Sequence, residues 1–204
     1  DSGAVHVWKY HLQTQTWILM GNAIIGQLVH QAHLGDSVAL SLDGMILAVG
    51  ARLHEESLLR KWDAGMVQVF EYNEDKNIWD EIGTFYGDAT SDKLGRRLDL
   101  SDDGTVLAAA TESTNERRNP YMIVKKYNKQ TKEWTDLGQK IEYADIPDVL
   151  ISGDGSILVN KVRPGYIMEL KDSKWVEMDV LSTLENLGYG IPDLIDMSSD
   201  GKVL

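Results

Sequence analysis

The stretch "SVALSLDGMILAVGA", Ser37–Ala51, consists of two short apolar runs on either side of an Asp-Gly pair, and the chain writes this pattern four times. The other copies are "LDLSDDGTVLAAAT" at 98–111, "VLISGDGSILVN" at 149–160 and "IDMSSDGKVL" at 195–204. Runs of this length, apolar at nearly every position and bounded by turn residues, read as strands buried on both faces. In each S-x-D-G the Ser and Asp oxygens can accept from nearby backbone N–H groups, and Gly supplies the positive φ of a tight hairpin. The motif is the hairpin of one structural unit, repeated because the unit is repeated.

A second landmark keeps step with the first. Trp17, Trp79, Trp134 and Trp175 each follow an alternating segment: "GAVHVWKY", "GMVQVFEY", "YMIVKKY" and "GYIMEL". In "GMVQVFEY", Val67, Val69 and Glu71 share one face while Gln68, Phe70 and Tyr72 share the other, the pattern of a half-buried strand. The repeat length of about 40 to 60 residues suits either propeller blades or helical arrays, and the alternation selects strands. Each unit then holds four strands, in order "SVALS", "ILAVGA", "GMVQVFEY" and "NIWDEIG" for the first full copy. The expected fold is all-β, a β-propeller of four-stranded antiparallel blades. The four tryptophans recur at one position and are expected to pack blade against blade.

The pattern "GDSVALSLDGMILAVGA … GMVQVFEYNEDKNIWDEIG" resembles the blade repeats of FG-GAP-like and WD-like propellers of surface and secreted proteins, over nearly the whole chain. Two departures limit what the resemblance implies. The Trp-Asp dipeptide does not recur at strand ends, and no D-x-D-x-D-G calcium loop is present, so the cation-binding role of FG-GAP blades does not carry over. By phase, residues 3–20 are the third and fourth strands of one blade, and 35–83, 95–138 and 148–178 are full blades. Residues 194–204 are the first two strands of a further blade. The phase leads us to expect a segment of a larger ring.

Composition narrows the partners. The net charge of −12 repels nucleic acid and anionic membrane surfaces. No cysteine is present, which removes thiolate metal sites and cysteine nucleophiles, and the apolar runs are strand-sized, so membrane insertion is not expected. No cofactor is implied. The resemblance implies an extracellular, cell-surface or lumenal location.

Function in a propeller belongs to its loops. Here the first-to-second and third-to-fourth turns are short, and the connections on the opposite face are long: 22–34, 52–64, 84–94 and 112–120. This loop face carries the candidate binding residues Arg52, His54, Arg60, Trp62, Tyr86, Arg117 and Arg118. His30 and His33 in "VHQAHLG" are weak metal candidates, with Asp36 the only carboxylate close by in sequence. No nucleophile elbow, phosphate loop or singled-out carboxylate pair marks a catalytic centre, so no catalytic residue is assigned. The expectation is a non-catalytic, non-enzymatic platform for a protein partner or larger complex. The alternative is a carbohydrate-binding or carbohydrate-active propeller, and a second alternative is a cation-linked adhesion module.

Overall fold

The computed structural model describes residues 2–26, 32–56, 61–112, 119–143, 148–160, 166–178 and 196–203, and among these the chain is all-β. A two-stranded sheet comes first, with β1 (Ala4–His11) antiparallel to β2 (Thr16–Ile25). The second sheet is a four-stranded antiparallel meander of β3 (Ser37–Leu40), β4 (Ile46–Ala51), β5 (Met66–Asn73) and β6 (Ile78–Tyr86). The third repeats it with β7 (Arg97–Leu100), β8 (Val106–Ala110), β9 (Tyr121–Asn128) and β10 (Glu133–Asp136), and β11 (Ile141–Glu142) also pairs with β9. The fourth is β12 (Val149–Ile151), β13 (Ile157–Asn160), β14 (Tyr166–Lys171) and β15 (Lys174–Glu177). No helix among the described residues is long and apolar enough to cross a membrane.

The sheets are arranged as in a propeller. Strand β3 lies against β7 and β7 against β12, so the first strands of successive sheets line a common axis. Period-two alternation divides each second strand between two blade interfaces. In β4, Leu47, Val49 and Ala51 pack with Val7, Met20 and Ile24 of the first sheet. Its Ile46 and Ala48 pack with Leu98, Leu100 and Leu107 of the third. In β8, Val106, Ala108 and Ala110 turn the other way, onto Val149, Ile151 and Leu158. That is why both strands are apolar at every position. A fully buried leucine such as Leu107 contributes about 1.5–3 kcal/mol by leaving water.

The expectation of two buried faces does not extend to β3, where Val38 and Leu40 are 53% and 47% exposed. They face the side where the first sheet has, among the described residues, no inner strands. Strands β2 and β6 also run further than the alternation indicates, because Ala4 still pairs with Ile25 and Met66 with Tyr86.

Hydrogen bonds account for both repeated landmarks. In the first hairpin Ser41 Oγ donates to Asp43 and accepts from the Ile46 N–H, while the Asp43 carboxylate accepts from the Met45 N–H. The same closure recurs around Ser101, Ser152 and Ser198. Gly44, Gly104, Gly155 and Gly201 have φ between 67° and 74°, a region a Cβ makes costly. The variable residue of each motif links the hairpins: the Leu42 N–H donates to Asp102 O, Asp102 N–H to Gly153 O, and Gly153 N–H to Ser199 O. The indoles pin the outer strands. Trp79 Nε1 donates to Met20 O, Trp134 Nε1 to Ile82 O and Trp175 Nε1 to Leu137 O, each in the preceding sheet. Trp17 has no preceding sheet among the described residues and is 65% exposed.

Candidate functional site

The described ends of the long connections lie where the inner strands begin. Asp36 precedes β3, Arg96 precedes β7 and Arg97 opens it, and Asp148 precedes β12; Arg52 and Glu112 follow the second strands β4 and β8. Four of these side chains alternate in sign. Arg52 Nε donates to Asp36 Oδ2 at 2.6 Å, and Arg52 Nη1 and Arg96 Nη1 both reach Glu112 Oε2, at 3.2 and 3.1 Å. Arg97 and Asp148 extend the row one blade further, at 3.3 Å.

The repeat explains the placement. In the register that superposes Asp43 on Asp103, Asp36 corresponds to Arg96 and Arg52 to Glu112. Two equivalent acid–base pairs thus stand side by side with their charges exchanged, and the Arg52–Glu112 bond closes them into one network across the blade boundary. The Asp36 bond raises Arg52 above its ordinary pKa, against the opposing effect of burial. The guanidiniums remain partly open, with side-chain exposures of 28% for Arg52 and 30% for Arg96.

His33 adds an imidazole to this network. Its Nδ1 lies 3.7 Å from Asp36 Oδ1, and its backbone is held at φ 55° in a turn in which the Asp36 N–H donates to His33 O. The pairing places His33 next to a carboxylate; its sequence neighbour His30 lies outside the described residues.

The remaining candidates divide. His54 turns inward and is 7% exposed; burial pushes its imidazole below the ordinary histidine range, with Glu56 and Glu55 pulling the other way. Its ring lies 5.7 Å from that of Tyr86, whose hydroxyl burial raises. Trp62 is 57% exposed on the loop between β4 and β5. Arg60, Arg117 and Arg118 lie outside the described residues. Arg96, Arg97 and Asp148 did not stand out in the sequence. Their signal was positional, since they flank the start of each inner strand, where the first copy has Asp36 and Ser37.

A groove of about 440 Å³ opens further out between the second and third sheets, walled by β6 on one side and by β9 and β10 on the other. Lys61, Lys125 and Lys140 line it together with Glu56, Asp88 and Asp136. Phe85, Tyr86 and Tyr121 supply aromatic surface. Tyr121 is fixed in place: its hydroxyl donates to Asp92 Oδ2 at 2.9 Å and accepts from the Asp88 N–H at 3.0 Å. Burial raises its pKa well above the ordinary tyrosine value.

No protein-family model matches the chain, and no curated protein matches it significantly. Solved structures do share the fold. A protein of Bacteroides uniformis assigned as a 6-phosphogluconolactonase aligns with a TM-score of 0.60 at 15% identity, over 88% of this chain and 48% of its own. A Bacteroides fragilis protein with the same assignment gives 0.58 at 17%, over 87% and 47%. The periplasmic gluconolactonase of Pseudomonas aeruginosa gives 0.52 at 14%, over 97% and 55%. The chain thus spans about half the length of these structures.

The likeness establishes a propeller-type all-β fold and does not confirm the finer resemblance to FG-GAP-like or WD-like repeats. It also corrects the functional expectation. All three proteins carry the names of enzymes acting on sugar lactones, so a propeller of this kind gives no ground for a non-catalytic platform. The expectation that the chain is not an enzyme falls with it.

Proposed function

We propose that the chain is part of a carbohydrate-active propeller that hydrolyses sugar lactones at the ends of its inner strands. The observation that carries this reading is the alternating network of Asp36, Arg52, Glu112 and Arg96, bordered by His33. Lactone hydrolysis needs a base for water and a positive group where the carbonyl oxygen gains charge. His33, whose Nδ1 lies 3.7 Å from Asp36, takes a proton from water, and the oxygen adds to the carbonyl carbon. Arg96 and Arg52 donate to the resulting oxyanion. The ring C–O bond then breaks, the proton returns to the departing ring oxygen, and the product is the open-chain sugar acid. The carboxylates of the network accept from the sugar hydroxyls, and the names borne by proteins of this fold support the substrate class. A location outside the cytoplasm fits this reading, since one of those proteins is periplasmic.

The test is hydrolysis of glucono-δ-lactone by the full chain, followed in a pH-stat with the spontaneous rate subtracted. Wild type is expected to exceed the spontaneous rate. Removing one oxyanion donor in Arg96→Ala should lower kcat/KM about 10²-fold or more. His33→Gln should lower kcat by a comparable factor while leaving KM near its starting value. A wild-type rate equal to the spontaneous one overturns the proposal.

A further inference from the structure

The outer groove is assigned here by comparison with its own counterpart in the repeat. Between the first and second sheets lies a groove of about 290 Å³ lined by Asn22, Ala23, Ile24, Ile25, Met66, Gln68, Phe70, Trp79 and Glu81. The register that superposes Trp17 on Trp79 places Ala23 over Phe85 and Ile24 over Tyr86. The register that superposes Trp79 on Trp134 places Met66 over Tyr121, Phe70 over Lys125 and Glu81 over Asp136. The two grooves are one structural position, occupied twice. The first carries one charged residue, Glu81, beside the neutral polar Asn22 and Gln68 and the rings of Phe70 and Trp79. At Phe85, Tyr86 and Tyr121 the second carries rings where the first has Ala23, Ile24 and Met66, while Phe70 gives way to Lys125, and three lysine–carboxylate pairs stand where the first has a single carboxylate.

We infer that the groove between β6 and β9–β10 is a binding site for a neutral saccharide of about disaccharide size, separate from the lactone site and independent of that reading. Its volume falls within the usual range for small-ligand sites, roughly 300–1,000 Å³. The charges select a neutral ligand. Three lysines face three carboxylates, and Lys61 bonds Glu56 at 3.1 Å, Lys125 bonds Asp136 at 2.6 Å, and Lys140 bonds Asp88. No net charge remains to attract an ion, and the chain as a whole repels anions.

The same groups suit hydroxyls, because carboxylate oxygens accept and ammonium groups donate in the paired pattern that vicinal diols present. Two of the pairs are wet: Asp136 is 72% exposed, and Lys140 and Asp88 are 37% and 51% exposed. Exposed pairs of this kind are worth about 0–1 kcal/mol, so a sugar can share their hydrogen bonds at little cost. Tyr86, 42% exposed, supplies the apolar surface on which the C–H face of a pyranose rests, while Phe85 packs against Trp134 and lies under the Lys125 ammonium.

The test is calorimetric titration of the full chain with maltose, cellobiose and N,N′-diacetylchitobiose, with sodium gluconate as a charged control. At least one disaccharide should bind saturably, and gluconate should not displace it. The variant Tyr86→Ile installs the residue that the first groove carries at this exposed position, and it should weaken binding at least tenfold. Asp136→Asn, at an exposed position, should weaken binding at least threefold and leave glucono-δ-lactone hydrolysis where it was. Three outcomes overturn the inference: no disaccharide binds wild type, gluconate competes equally, or binding survives both variants. Failure of the lactone site would show in the pH-stat and leave these titrations unaffected.

Discussion

The aspartate of each S-x-D-G hairpin is held ionised by its own turn. Hydrogen bonds from Ser156 and Ser152 keep the Asp154 carboxyl below the ordinary aspartate range, and those from Ser41 and Met45 do the same for Asp43. For Asp103 burial opposes the shift, but bonds from Thr105 and Ser101 outweigh it. Asp200 is lowered by Ser198 and by the Lys202 N–H. A carboxyl whose folded pKa is depressed stabilises the fold above its unfolded pKa, and that stability is lost as pH falls through the folded value. Four such groups acting together make the melting temperature drop on acidification below about pH 4, the ordinary carboxylate region. Thermal melts followed by circular dichroism from pH 2.5 to 6 should show this fall. Asp154→Asn, which keeps the acceptor but removes the charge, should melt lower than wild type at pH 6 and with a shallower slope below pH 4. Parallel curves for the two proteins would refute the assignment.

Between elements, the blades are joined by an indole set against a glycine in the outer strand of the preceding blade or just after it. A Cβ on Gly83 would lie 2.6 Å from Trp134 Nε1, and one on Gly138 would lie 2.6 Å from Trp175 Cδ1. Gly83→Ala should therefore cost about 1–3 kcal/mol through overpacking. Trp134→Phe should cost less in that background than in wild type, because the clash leaves with the indole; the coupling should exceed about 0.5 kcal/mol in urea denaturation. Additive losses would mean that the pair does not form the joint. Such pairs were half legible in sequence. The tryptophans recur at one position and alternation fixes their strand, so their packing role follows, whereas the glycine they rest on is set by register across a blade boundary. The functional groups were less legible for the same reason. Arg52 and Glu112 stand 60 residues apart and meet only because two equivalent loops are brought side by side. The groove is built by three strands of two sheets, so it was invisible to a reading made blade by blade.

At the scale of the whole molecule, charge decides which lactone the proposed inner-strand site should prefer. The chain carries a net charge of −12. The site offers little local relief, since Arg52, Arg96 and Arg97 are matched by Asp36, Glu112 and Asp148. A lactone bearing a phosphate dianion approaches an acidic protein through a site of no net charge, and its encounter is slowed by repulsion; a neutral lactone feels none of this. Kinetics at low ionic strength should thus favour glucono-δ-lactone over its 6-phosphate ester in kcat/KM. Raising salt from about 10 to 150 mM shortens the screening length from about 30 to 8 Å and should lift kcat/KM for the phosphorylated substrate severalfold while leaving the neutral one nearly unchanged. A phosphorylated lactone that is preferred at low salt, and whose advantage shrinks as salt is added, would mean that the arginines present a net positive face to substrate. In that case Glu112 would have to turn away from Arg52 and Arg96 when substrate binds.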